Sequence, residues 1–452
     1  MEFAGQKVLV LGLGMSGRSA VRYLAERGAQ VTAADERPAE TIQGLESLPS
    51  GVETRLGQPF PELASYDLIV PSPGVPAARW EGRAGRVWGD IELCFRALSI
   101  PVIAVTGTNG KSTVVRLIEA MARAAGLRAK AAGNLGIPAL DLVGQPLDLA
   151  ILEVSSFQLE SVEAFRPRTA VLLNISPDHL DRHGDLAGYL AAKARIFARQ
   201  GAGDSAVLNG DDPRTAAVSV GDEVERLEFR LHQPVPAGAW LDGRNAIVRR
   251  GERQDRIPLD GARALAQQDD NLLAALLALA PLEIDLVAAT GALATFEGLP
   301  HRCQPVAEIR GVQYVDDSKA TNLGAAARSL EALPGPIIWI AGGRHKGGDL
   351  TSLGRSAAGR VRCALLIGEA AERFETALAD SVRCERVGQL AQAVERAAAI
   401  AKPGDLVLLA PACASFDQFE SFEDRGHQFQ TAVQALLAAE PALPTQREGN
   451  LA

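Results

Sequence analysis

The chain is short of the residues that would mark several protein classes. It has five cysteines in 452 residues: Cys94, Cys303, Cys363, Cys384 and Cys413. They are odd in number, scattered and never spaced C-x-x-C. That argues against a disulfide framework or a thiolate zinc site and fits a reducing cytoplasm. Long hydrophobic runs are also missing. The longest, Leu272–Ala280, is far below the ~20 residues of a membrane span, and Val8–Leu11 is too short for a signal peptide. Positive charge is in deficit, with 46 Lys and Arg against 55 Asp and Glu and a net charge of −9. That argues against a nonspecific nucleic-acid binder. Any phosphate must be held locally, by loops and a few cations. What remains is ordinary for a globular protein: 47% apolar and 22% charged residues, and a length that suits about three domains.

Short apolar runs alternate with helical stretches throughout, so an α/β fold is expected. The first region starts with a strand at Lys7–Leu11 and a helix at Ser16–Arg27. The second carries runs at Pro101–Val105, Leu149–Leu152, Ala170–Leu173 and Ser205–Leu208, which predict a parallel sheet. A third follows Gly298-Leu-Pro300, with runs at Val312–Val315, Pro336–Ile340, Ala364–Ile367 and Leu406–Leu409. The predicted domains are 1–92, 93–297 and 298–452, with a frayed tail over the last ~15 residues. Chemically active residues recur just after these runs: Lys111, Glu153, Asp178 and His179, Asp317, Lys346 and Ser415. Ligands of open α/β sheets bind outside the carboxyl ends of strands, so two sheets facing one cleft are expected.

The most informative segment is the β-branched run ending at Val105 with its loop, Gly107-Thr-Asn-Gly-Lys-Ser-Thr113, at a helix start. Backbone N–H groups and the helix N-terminus suit an anion, Lys111 adds a charge, and a hydroxyl suits Mg²⁺. The loop lacks the first glycine of the usual G-x-x-x-x-G-K-[ST] pattern, which would fall at Val105. A second cradle is Gly12-Leu-Gly14-Met15-Ser16-Gly17, with Asp35 eighteen residues later. Alone it reads as a dinucleotide fingerprint, but its physics suits any nucleotide diphosphate. Ser72-Pro73-Gly74 would be a second turn on the same ligand. A carboxylate at Glu153, ending a buried run, is costly unless paired or metal-bound. His179 sits among Asp178 and Asp181 and could ligate metal. Lys193, on its helix, reads by itself as a solvated lysine.

These motifs, with Gly133-Asn-Leu-Gly136, Glu153-Val-Ser-Ser-Phe-Gln-Leu-Glu160, His301-Arg302, Asp317-Ser-Lys-Ala-Thr-Asn322 and Pro411-Ala-Cys-Ala-Ser415, resemble the Mur ligases of peptidoglycan synthesis over nearly the whole chain. The Asp317–Asn322 and Ser415 segments are similar to the glutamate-adding branch. The resemblance implies a Rossmann-like N-terminal domain, a central P-loop ATPase-like domain with a parallel sheet, and a C-terminal Rossmann-like lid. It implies ATP-dependent ligation of D-glutamate to UDP-N-acetylmuramoyl-L-alanine through an acyl phosphate, in a cytoplasmic monomer with no nucleic-acid or membrane partner. By that resemblance Gly107, Thr108, Asn109, Gly110, Lys111, Ser112, Thr113, Asn271, Arg302 and Asp317 would hold ATP. Ser112, Glu153, His179 and a carbamylated Lys193 would hold two Mg²⁺, and Lys111, Glu153, His179 and Lys193 would be catalytic. Gly14, Met15, Ser16, Gly17, Asp35, Arg37, Ser72, Gly74 and Asn134 would take the UDP substrate. Thr321, Lys346, Ser415 and Phe422 would take glutamate. The stretch Gln267–Asp270 departs from the family's His-Asn, which touches the adenine contacts.

Overall fold

The structure, a computed structural model, describes residues 3–82, 85–259 and 269–438. The expectations for Gln267, Gln268 and the tail beyond 440 therefore lie outside the described residues. The chain divides into two compact units, Met1–Glu297 and Gly298–Ala452. No described helix is long and apolar enough to cross a membrane.

The first unit contains two sheets. Strands β1 (Lys7–Leu11), β2 (Gln30–Asp35), β3 (Glu53–Leu56) and β4 (Leu68–Pro71) form an all-parallel sheet in the order β3-β2-β1-β4. The helix Met15–Ala25 returns over it, burying Ala20, Val21, Tyr23 and Leu24. The second sheet runs from β5 (Val102–Thr106) through β6 (Ala129–Gly133), β7 (Leu149–Glu153), β8 (Thr169–Leu172), β9 (Ser205–Asn209), β10 (Glu225–Phe229), β11 (Gly238–Asp242) and β12 (Asn245–Arg250) to β13 (Arg253–Pro258). Its order is β13-β12-β11-β10-β9-β8-β5-β7-β6.

The four runs expected to be parallel, now β5, β7, β8 and β9, are parallel, and the sheet continues beyond them into an antiparallel edge that was not expected. It is parallel from β6 to β11, but β11–β12 and β12–β13 are antiparallel. Two-residue turns at Gly243-Arg244 and Gly251-Glu252 make these hairpins. Both glycines have left-handed φ, +59° and +58°, as tight hairpin turns require. Strand β13 is mostly polar and solvent-facing, as an edge strand should be.

One face of this sheet packs on the helices Lys111–Ala124 and Asp269–Leu279. The other face shares a continuous apolar core with the first sheet, through Val8, Val10, Tyr23, Ala104, Leu152 and Leu172. The predicted division at 92/93 falls inside the helix Asp90–Ala97, whose Ile91, Leu93 and Cys94 sit in that shared core.

The second unit holds β14 (Gln304–Ile309), β15 (Val312–Asp316), β16 (Ile337–Gly342), β17 (Val361–Ile367), β18 (Cys384–Gly388) and β19 (Leu406–Leu409), in the order β14-β15-β19-β16-β17-β18. Only β14 is antiparallel to its neighbour. Strand β16 is buried along its whole length.

Candidate functional site

The N-terminal cradle forms where β1, β2 and β4 end. Gly14, Met15, Ser16, Asp35, Arg37, Ser72 and Gly74 line one cavity of about 560 Å³. Gly14 caps the helix Met15–Ala25 with no side-chain cap, which leaves the helix end open to a ligand. Gly17 has a packing task in the cradle. A Cβ there would lie 1.9 Å from Gly12 O and 2.6 Å from Ser72 Oγ, so this glycine lets the helix close onto the turn. Asp35 has a structural task as well. Its carboxylate accepts from Leu13 N at 2.8 Å, from Arg37 N and Nε at 3.0 Å and from Arg37 Nη2 at 2.7 Å. Burial acts to raise its pKa, but the Arg37 and Leu13 hydrogen bonds outweigh this and hold the carboxyl below its ordinary value. Asp35 thus fixes the glycine loop from inside. Asn134 lies elsewhere, beside Glu153.

The loop after β5 is held by a residue the sequence reading missed. Asn174, at the end of β8, accepts from Asn109 N at 2.9 Å and donates to Asn109 O at 3.0 Å. Its only sequence signal was a polar residue closing an apolar run. Gly110, the left-handed N-cap (φ +87°), faces Asn271, whose Oδ1 would be 2.6 Å from an added Cβ. Asn271 is therefore brought to the glycine loop. Lys111 Nζ curls back to Gly107 O at 2.8 Å and Thr108 O at 2.9 Å.

Lys193 overturns the solvated reading. It is 1% exposed and lies 2.8 Å from the same Gly107 oxygen, with Tyr189 beneath it at 4.7 Å. Burial, and then the neighbouring Lys111 charge, push its pKa well below the ordinary lysine value, against the pull of Asp178 and Glu153. Two ammonium groups on one carbonyl repel, so the buried one tends to the neutral amine.

Glu153 ends β7 at 2% exposure. Its Oε1 accepts from Asn134 Nδ2 at 2.8 Å, and its Oε2 is buried without a hydrogen-bond partner. His179 occupies a left-handed conformation (φ 54°) and meets the Phe157 ring edge-on at 4.8 Å. His183 is buried against Ser156 Oγ at 3.0 Å, and burial lowers its pKa. Among the described residues no group of three or more His, Cys, Asp or Glu gathers as a metal cage.

In the second unit, Asp317 is buried and accepts from Ser329 Oγ and from Cys303 N at 3.3 Å. Burial raises its pKa to about 6, against the Ser329 hydrogen bond and the Arg302 charge. Lys346 Nζ approaches Thr321 Oγ1 at 3.4 Å. Ser415 is buried, and Lys319 Nζ lies 3.5 Å from the Phe422 ring centre. Arg425, which the sequence reading also missed, is fully buried. It donates to Ser318 Oγ (3.0 Å), Ser318 O (2.8 Å) and Cys413 O (3.2 Å), joining the loops after β15 and β19. Burial lowers its pKa to about 10. An arginine inside a helix gave no sequence signal for this. The candidate ATP residues are divided: Gly107–Thr113 and Asn271 belong to the first unit, Arg302 and Asp317 to the second.

Three family models match in chain order: a Mur ligase MurD-like N-terminal domain at residues 6–84, a Mur ligase middle domain at 105–251, and a Mur ligase glutamate ligase domain at 301–413. The UDP-N-acetylmuramoylalanine–D-glutamate ligase of Pelotomaculum thermopropionicum is 41% identical, covering 96% of this chain and 99% of that protein. The protein of the same name from Anaeromyxobacter dehalogenans is 42% identical, covering 95% and 97%. Two solved structures share the fold. A pseudomurein peptide ligase type C from Methanothermus fervidus has a TM-score of 0.62 at 18% identity, covering 96% of this chain and 100% of that one. A MurF ligase from Thermotoga maritima in complex with ADP has a TM-score of 0.60 at 18% identity, covering 96% of each.

Proposed function

Since this chain belongs to the Mur ligase family, we propose that it joins D-glutamate to UDP-N-acetylmuramoyl-L-alanine with ATP in peptidoglycan synthesis, through an acyl phosphate. The carrying observation is about 40% identity, over nearly the full length of both chains, to relatives bearing that name. The alanyl carboxylate attacks the γ-phosphorus and ADP leaves. The glutamate amine then attacks the acyl carbon, a tetrahedral intermediate collapses, and phosphate leaves. Such chemistry depends on positioning and on charge neutralisation.

In this reading residues 1–92 hold the UDP end, 93–297 hold ATP and 298–452 hold glutamate. The cavity lined by Gly14, Met15, Ser16, Ser72 and Gly74 takes the diphosphate-bearing acceptor, and Asn134 its alanyl end. Lys111 releases its loop carbonyls to meet the ATP phosphates. Thr321, Lys346, Ser415 and Phe422 orient glutamate. The unpartnered Glu153 Oε2 fits a divalent cation. Mg²⁺ is usually held by one or two carboxylates plus phosphates, which a single buried carboxylate beside the glycine loop suits. Ser112 and Glu153 would hold one Mg²⁺, and His179 and a carbamylated Lys193 the second. When bound, Mg²⁺ neutralises charge between two anionic reactants. Carbamylation suits the Lys193 amine: its neutral nitrogen attacks CO₂, one proton goes to solvent, and the uncharged amine becomes a carbamate anion. We place the enzyme in the cytoplasm as a monomer.

The test is a substrate panel with phosphate release as the readout. UDP-N-acetylmuramoyl-L-alanine is offered with D-glutamate, L-glutamate and other amino acids, with and without ATP. Turnover is expected only with ATP and D-glutamate together. Turnover on another acceptor or amino acid would replace this assignment.

A further inference from the structure

We propose that Arg182 is a positioning residue that clamps the acceptor's diphosphate turn to the segment carrying the reacting groups. The inference rests on the acceptor reading above.

Arg182 lies three residues beyond His179, in the short helix Leu180–His183. Its guanidinium stacks 3.9 Å from the Phe157 ring centre. Nε and Nη2 form a fork on the Glu160 carboxylate at 3.0 and 2.5 Å, with both side chains 13% exposed. The remaining donors cross to the first sheet: Nη1 donates to Pro73 O at 2.8 Å and Nη2 to Val75 O at 3.3 Å. Phe157 and Glu160 belong to the turn that follows Glu153. One side chain therefore ties together the segment after Glu153, the segment of His179, and the turn Ser72–Val75.

That turn is closed by Val75 N on Ser72 O at 2.9 Å, and Ser72 Oγ is tied to Gly12 O at 2.6 Å. Across a trans peptide the C=O and the N–H point in opposite directions. With Pro73 C=O turned to Arg182, the Gly74 N–H is turned away from it, and Gly74 lines the acceptor cavity. Arg182 thus sets the direction of the amide that would meet the diphosphate. It also sets the distance from that amide to Glu153 and His179, where the far end of the same substrate reacts. The guanidinium makes two hydrogen bonds to the carboxylate and one to each carbonyl, four in all, and an ammonium has only three donors.

The test uses full-length enzyme with Arg182→Lys and with the double variant Arg182→Gln/Glu160→Gln, which leaves no charge unpaired. Thermal melting reports the fold. The readouts are KM for each substrate, kcat, and the dissociation constant of UDP alone. In both variants UDP binding and the acceptor KM are expected to worsen about tenfold or more, as befits lost charge-assisted hydrogen bonds, with lower kcat and an ATP KM within about twofold. A folded variant with wild-type UDP affinity and acceptor KM would overturn the proposal. So would turnover that falls only in step with the folded fraction, or a double variant that restores the wild-type acceptor KM. Wild-type enzyme that fails to bind UDP would overturn the acceptor reading itself, and this proposal with it.

Discussion

Glu153→Gln separates a carboxylate kept for a ligand from one kept for the fold. In the structure Oε1 is satisfied by Asn134 and Oε2 is buried with no partner. A buried polar atom left unsatisfied costs about 1–3 kcal/mol, and more when charged. The nearby Lys193 gives little compensation, because burial and Lys111 drive it toward the neutral amine. Glutamine keeps the shape and the Asn134 bond, removes the charge, and leaves one buried N–H₂ in exchange. Without metal the variant should be more stable by about 1–2 kcal/mol, the difference between those two penalties. At this chain size that is a rise in Tm of roughly 1–2 °C. Calorimetry in EDTA reads it directly. Added Mg²⁺ and ATP should then raise the wild-type Tm and leave the variant nearly unmoved, because a ligand stabilises only the state that binds it. Turnover should fall about a hundredfold or more. If the variant melts below wild type in EDTA, the Glu153 charge is balanced inside the protein and the metal assignment fails.

Two further outcomes test other parts of the site. Lys193→Ala should be nearly inactive yet folded, and short carboxylic acids added to the assay should restore part of the rate; full unassisted activity would remove the carbamate. Lys346→Ala should raise the glutamate KM at least about tenfold while the ATP KM stays within about twofold; the reverse pattern would misplace the amino-acid pocket.

What could be read from the sequence was whatever is encoded over short distances. The β5 run, its glycine loop and Lys111 are contiguous, so the loop and the helix that follows it were legible. So were most buried strands, because parallel strands read as apolar runs. The antiparallel edge at β12 and β13 was missed because its strands are polar and half-exposed, although Asp242-Gly243 carried the hairpin signal. The 92/93 division was drawn where composition changes, but the core of the first unit runs across it through Ile91 and Cys94. Asp35 matched a spacing rule, and spacing could not reveal that Leu13 N and Arg37 already occupy its oxygens.

Lys193 shows most clearly what spacing leaves out. The helix Leu186–Ala194 buries only Tyr189 and Lys193, four residues apart and so on one face. Its sequence, Leu-Ala-Gly-Tyr-Leu-Ala-Ala-Lys-Ala, puts the one basic group where an apolar residue would suit the packing. Such a lysine is destabilising unless its charge is lost, paired or replaced. Here the same Gly107 oxygen accepts from Lys193 and Lys111, and a second cation at that point worsens the balance. Glu153 shows the mirror image, an acidic oxygen buried without a partner. Neither defect stabilises the fold alone. Both are relieved together if the amine becomes an anion and cations enter between it and Glu153. A buried lysine whose charge is suppressed and a buried carboxylate oxygen without a partner, both beside one glycine loop, are thus better explained by a ligand than by how the chain packs.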